Sequence, residues 1–263
     1  MMRKWNVKMK KILITGIAIG VVFGILLTIA AAKHVVDSHE EKLTAQNKKL
    51  ETENKELKGK VQIESAVGDS AATLSGDEDG WALALVNESH PLATDYTPEL
   101  TEIDTERSVD TRIVEELEQM LSDAQAEGLS MYVASAYRSY EQQREVFNST
   151  MQDWIVQGYN PLDAYDETKK SVAVPGTSEH ATGLAVDIIA SAYEALDEAQ
   201  GDTPEQKWLM EHCAEYGFIL RYPSDKAEVT GIIYEPWHYR YVGKEAAQEI
   251  TEKGLTLEEY LEQ

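Results

Sequence analysis

Between Leu184 and Ala190 the chain reads Leu-Ala-Val-Asp-Ile-Ile-Ala, apolar enough to be buried as a strand and interrupted only by Asp187. A lone carboxylate in such surroundings costs roughly 3 kcal/mol or more unless a positive group stands beside it. Any fold open to this chain must therefore bring a positive partner to the middle of that strand. Alternation from Leu184 to Ile189 puts Asp187 on the face opposite Val186 and Ile188. His180 stands seven residues earlier, and Gly183 between them permits a sharp turn. Such a pair has two readings, a satisfied buried salt bridge or part of a metal site.

A second segment, Glu-Pro-Trp-His-Tyr-Arg-Tyr from Glu235 to Tyr241, sets Glu235 and His238 three residues apart around Pro236. Proline cannot donate to a central ladder, so the chain bends there, and the bend can aim both side chains into one pocket. Two histidines and one carboxylate leave an open fourth position on a tetrahedral zinc, as a catalytic site requires, with Glu235 free to act on a bound water. Taken singly, Glu235 and His238 also fit an ion pair and a core histidine bonded to a carbonyl. The single cysteine, Cys213, excludes an intramolecular disulfide and any Cys-x-x-Cys metal or redox pair, so a metal must use His, Asp or Glu. Its neighbour His212 diverges from it by about 100° on a predicted helix, which excludes a nucleophile and base pair. Cys213 is expected in the core with Leu209 and Met210, and His90 and His212 are read as structural.

Upstream, Ile12 to Ala32 is a run of 21 uncharged, mostly apolar residues. As a helix it would span about 30 Å, the thickness of the hydrocarbon core. Arg3, Lys4, Lys8, Lys10 and Lys11 precede it with no acid among them, so the positive-inside rule keeps the N-terminus cytoplasmic and sends the rest outside. A signal peptide cut near Ala32 is the alternative, but the apolar run exceeds the usual core of about 7–15 residues. Beyond residue 33 the chain holds 18 basic against 47 acidic side chains, a net charge near −29. That balance disfavours phosphate backbones, so no nucleic-acid partner is expected.

Four parts are expected: a cytoplasmic tip and membrane anchor over 1–33, a helical stalk over 34–61, a flexible acidic linker over 62–80 and a folded domain over 81–263. In the stalk Val36, Leu43, Leu50 and Leu57 recur every seven residues, with Asn47, Asn54 and Val61 four residues after the leucines. This spacing fits a short parallel coiled coil, hence a homodimer, and equally a single solvated spacer helix. In the domain, Ile113, Leu117, Met120, Leu121 and Ala124 share one helix face, ended by Gly128. A strand is expected over Ser130–Ser139. Ser139 with Gln142 forms a capping box for a helix that turns Phe147, Met151, Trp154 and Ile155 inward and stops at Gly158. Asn160-Pro161 and Thr203-Pro204 open two further helices. Phe-Ile-Leu-Arg-Tyr after Gly217 and the stretch Tyr239 to Val242 with His238 read as strands. Without regular β-α alternation or a glycine-rich phosphate loop, the class is α+β, an antiparallel or mixed central sheet flanked by helices.

Ser178-x-His180 continuing to Gly183, Ala185 and Asp187, followed by Glu235-Pro236-Trp237-His238, resembles the paired signature of the VanY-type zinc D-alanyl-D-alanine carboxypeptidases. Ala136-Tyr137-Arg138-Ser139 with Gln143 resembles their third motif, and the likeness spans about residues 83 to 243. Ala181 departs from the glutamine common after the first histidine, a difference that bears on pocket shape. The resemblance implies that His180, Asp187 and His238 bind Zn2+ and that Glu235 is the catalytic base. It further implies that Arg138 meets the reacting carbonyl or the substrate's terminal carboxylate, and that Ser178 and Gln143 add hydrogen bonds to the peptide end. The implied substrate is the peptidoglycan stem peptide, which would lose its terminal D-alanine. An L,D-carboxypeptidase acting on tetrapeptide stems is the near alternative. A non-catalytic zinc module is the other, since the family shares its fold with hedgehog signalling domains.

Overall fold

The computed structural model describes residues 80–93 and 96–263, with the isolated helical positions Lys42 and Lys48. The expected anchor and stalk, and the linker up to Asp79, lie outside the described residues apart from those two lysines. Among the described residues no helix is long and apolar enough to cross a membrane.

A two-stranded hairpin comes first, β1 (Leu100–Glu102) with β2 (Ser108–Asp110). Nothing in the periodicity of this stretch had marked it as strand. Helix α1 (Val114–Ala126) follows and presents Leu117, Met120 and Ala124 inward, as their spacing predicts. Strand β3 (Met131–Ser135) is shorter than expected because beyond Ser135 the N–H groups of Tyr137 and Arg138 donate to the Ser108 and His180 carbonyls and leave the ladder. Ser139 and Gln142 form the expected capping box on α2 (Tyr140–Val156), the side chain of each bonding the backbone N–H of the other. That helix buries Gln143 and Phe147, while Met151, Trp154 and Ile155 are only half-covered. Asn160 and Thr203 cap α3 (Pro161–Thr168) and α4 (Pro204–His212), each with proline at the first turn. The chain then passes through β5 (Phe218–Leu220), α5 (Ala227–Thr230), β6 (His238–Tyr241), α6 (Lys244–Lys253) and α7 (Leu257–Leu261).

The main sheet is antiparallel throughout, in the order β3-β4-β6-β5, where β4 is Ala185–Ala190. One face carries Val133, Val186, Ile188, Phe218, Tyr239 and Tyr241 into a core shared with Ile113, Leu117 and Met120 of the α1 region and Leu209 of α4. Each fully buried residue of this kind is worth about 1.5–3 kcal/mol relative to exposure. A second cluster joins Ile219 and Val242 to Ala246, Ala247 and Ile250 of α6 and Leu257 of α7. All six residues of β4 are buried, Asp187 included, so the strand is covered on both faces. Cys213 is buried in the core beside Leu209, as expected.

Candidate metal centre

The register of the sheet builds half of the site. Asp187 of β4 stands opposite His238 of β6, so their side chains leave the same face a few ångströms apart. His238 and Arg240 alternate with Tyr239 and Tyr241, the tyrosines entering the core and the other two pointing to the opposite face. The bend expected at Pro236 is a tight turn closed by the His238 N–H donating to the Glu235 carbonyl at 3.1 Å. It turns Glu235 back toward the start of β6.

His180 arrives from another element, the short 3-10 turn Glu179–Thr182. Gly183 ends that turn with φ 76°, and a Cβ there would lie 2.8 Å from the backbone nitrogen of Asp110. Only glycine fits both the left-handed conformation and that approach. The imidazole Nδ1 of His180 lies 2.7 Å from the Ala136 carbonyl, which makes Nδ1 the protonated nitrogen and leaves the Nε2 lone pair facing Asp187 Oδ2 at 3.3 Å. Nδ1 of His238 lies 3.1 Å from Asp187 Oδ1.

One donor atom each from His180, Asp187 and His238 therefore falls within 4.8 Å of the others, all three residues buried. Two imidazoles and a carboxylate, each with its remaining polar atoms engaged by protein, could hold a metal ion, and such a set suits zinc. The chemistry of these residues fits that ion. Asp187 also meets Arg138 Nη2 at 3.5 Å, so the positive partners demanded by its burial are the His238 imidazole and a guanidinium, while His180 faces it as a neutral ring. Burial opposes ionisation of Asp187, but the imidazoles outweigh it and hold its carboxyl far below the usual carboxylate range. Burial and the Arg138 charge push His180 down to about 4. For His238 burial acts in the same direction, but hydrogen bonds to Asp187 and Glu179 prevail and raise it to about 9.

Glu235 is buried with Oε2 3.9 Å from His238 Nδ1, and burial pushes its carboxyl up to about 8. Arg138 is anchored by Gln143, whose Oε1 accepts from Nη1 at 2.9 Å while its Nε2 donates to the Ala173 carbonyl at 2.7 Å. Both ends of the Gln143 amide are thus engaged within the protein, and its contact is with Arg138. Ser178 is buried and lines the cavity. That cavity, about 490 Å3, is bounded by all seven residues singled out from the sequence, together with Glu179, Tyr222 and Trp237.

Sequence reasoning passed over Glu179. It is fully buried between Arg221 and Arg240, with its second carboxylate oxygen 3.4 Å from His238 Nε2. The available signal was the pair of arginines set inside the apolar runs Phe-Ile-Leu-Arg-Tyr and His-Tyr-Arg-Tyr-Val, each of which demands a buried acid.

Residues 106–244 match the family model described as VanY, D-alanyl-D-alanine carboxypeptidase. A D-alanyl-D-alanine carboxypeptidase of Enterococcus faecalis is 43% identical over 192 residues, 73% of this chain and 70% of the relative. The solved structure of VanYB in complex with D-alanine-D-alanine is 43% identical, with TM-score 0.65 over 69% of this chain and 98% of that one. A mutant of the vancomycin-resistance D,D-pentapeptidase VanY in complex with Zn(II) is 42% identical, with TM-score 0.64 over 69% of this chain and 99% of that one. The LdcB LD-carboxypeptidase is 37% identical, with TM-score 0.60 over 69% and 87% of the two chains. The fold, the buried donor set and these similarities together make the chain a member of the VanY family of D-alanyl-D-alanine carboxypeptidases.

Proposed function

We propose that this protein is a zinc-dependent carboxypeptidase that removes the C-terminal D-alanine from peptidoglycan stem peptides outside the membrane. The observation that carries the reading is the convergence of His180, Asp187 and His238 from a turn and two adjacent strands, with Glu235 beside them in one cavity. The Zn(II)- and D-alanine-D-alanine-bound relatives support the choice of metal and substrate.

In this reading His180 would hold the ion through Nε2, His238 through Nδ1 and Asp187 through a carboxylate oxygen. Bound there, zinc supplies a Lewis acid that lowers the pKa of water from ~15.7 toward ~7. In its ionised form Glu235 takes a proton from water as the water oxygen bonds to the amide carbon, and returns it to the leaving amine of the terminal D-alanine as the C–N bond breaks. Arg138, braced by Gln143, offers its planar fork to the substrate's terminal carboxylate or to the oxygen on which charge develops. Ser178 adds a neutral hydrogen bond at the same wall.

The basic N-terminus and the apolar run after it support a single-pass anchor with the catalytic domain outside the cell. Stalk and linker would give that domain reach toward the wall, and the heptad spacing supports pairing of two stalks. An L,D-carboxypeptidase acting on tetrapeptide stems is the second reading, favoured by the likeness to LdcB. Incubation with defined pentapeptide and tetrapeptide stems, read by mass spectrometry, is the test. Loss of one alanine from the pentapeptide with the tetrapeptide intact is expected. A zinc-loaded protein that trims neither is a non-catalytic zinc module of this fold.

A further inference from the structure

We propose that Glu179 is a positioning residue for the metal centre, its carboxylate accepting the Nε2 proton of His238 and thereby keeping Nδ1 of that imidazole turned toward Asp187. The inference rests on the zinc reading above and concerns how the site is kept in one state. An imidazole can offer either nitrogen to a metal, and the hydrogen bond made by the other nitrogen decides which. For His180 that bond goes to the Ala136 carbonyl. For His238 the groups available are Asp187 on one nitrogen and Glu179 on the other.

The two oxygens of Glu179 are divided between separate tasks. Oε1 accepts from Arg221 Nε at 2.8 Å and from Arg240 Nη1 at 2.9 Å, while Oε2 faces His238 Nε2 at 3.4 Å. A carboxylate present only to neutralise the arginines would have no need to direct its second oxygen at a ring nitrogen. The arginines are themselves immobilised. Arg240 donates through Nη2 to the carbonyls of Ala82 and Ala84 at 2.9 and 2.8 Å, and through Nε to its neighbour Tyr241's carbonyl at 2.9 Å. Arg221 forms a two-pronged pair with Glu258 of α7, at 2.9 and 2.6 Å. Two guanidiniums and two carboxylates cancel in charge, so Glu179 is presented as a fixed acceptor without loading the site with uncompensated charge. It is the residue immediately before His180, so one turn supplies a metal donor on one side and the brace for the opposite histidine on the other.

The test is zinc affinity of the full-length protein by chelator competition near neutral pH, for the wild type and Glu179→Gln. Loss of such a brace is expected to weaken zinc binding about 10–100-fold. A merely structural role would lower the melting temperature and leave the affinity of the folded protein unchanged. A second measurement needs no variant: in the cadmium-loaded wild type with isotope-labelled histidines, spin coupling to the metal is expected at Nδ1 of His238, with Nε2 protonated. A folded Glu179→Gln protein that holds zinc as tightly as the wild type, or metal coupling at Nε2 of His238, overturns the inference alone. A wild-type protein that takes up no zinc overturns the zinc reading with it. Should Glu179→Gln fail to fold, the coupling pattern decides.

Discussion

Glu235 lies 3.9 Å from a donor atom of His238 without belonging to the cluster of three donors, which is the placement wanted of a proton carrier beside a metal. Replacing it by glutamine keeps its volume and removes its basicity. Glu235→Gln is expected to retain zinc, measured by metal analysis of the purified protein, while turnover of the pentapeptide falls about 10²–10⁴-fold. Cys213 gives an opposite case, a reactive group made inert: burial pushes its thiol up to about 12. Its pKa is raised above the unfolded value, so the stability it contributes is present below the ordinary thiol pKa and is lost as pH rises through that of the folded state. Iodoacetamide should therefore leave it unlabelled in the native protein at mildly alkaline pH and label it fully in denaturant. At this scale His180, Asp187, Glu235 and His238 were legible because residue type and spacing over short stretches mark them, while Arg138, Gln143 and Ser178 were reached only through the family resemblance. Glu179 was not, because its two arginines stand 42 and 61 residues away in sequence and nothing local announces the pairing.

Among the elements, those with local punctuation were readable from the chain. The capping box at Ser139 and the Asn160-Pro161 and Thr203-Pro204 starts depend on side chains within a few residues of the backbone groups they satisfy, and the stops at Gly128 and Gly158 on the positive φ that glycine adopts. The three-residue strands β1 and β2 were not, since Leu-Thr-Glu and Ser-Val-Asp hold too few side chains to display a period. Likewise the inward face of α2 was overdrawn: Phe147 is buried, but Met151, Trp154 and Ile155 belong to a half-open surface whose cover depends on neighbours the periodicity does not describe. The turn at Gly183 joins this scale to the site. Gly183→Ala must hold a left-handed backbone, at about 1–3 kcal/mol, and in addition push against the Asp110 backbone. A melting temperature lowered by several degrees, with weakened zinc binding because His180 rides on the same turn, is the expected result in calorimetry and metal titration.

For the molecule as a whole, the α+β class followed from the pattern of elements, while the strand order β3-β4-β6-β5 did not. That order is set by contacts between residues far apart in sequence, such as Asp187 with His238, and each is visible only once both partners are placed. The guanidinium of Arg240 reaches from strand β6 to the carbonyls of Ala82 and Ala84, close to the first described residues. Trimming the protein to the stretch that matches the family model, 106–244, would strip those acceptors and also the Glu258 partner of Arg221. Two buried cations would then be left short of partners, and such a fragment is expected to be insoluble or unfolded by circular dichroism, whereas one spanning 80–263 should fold. Where a useful truncation can be made is thus dictated by carbonyl groups that take no part in catalysis.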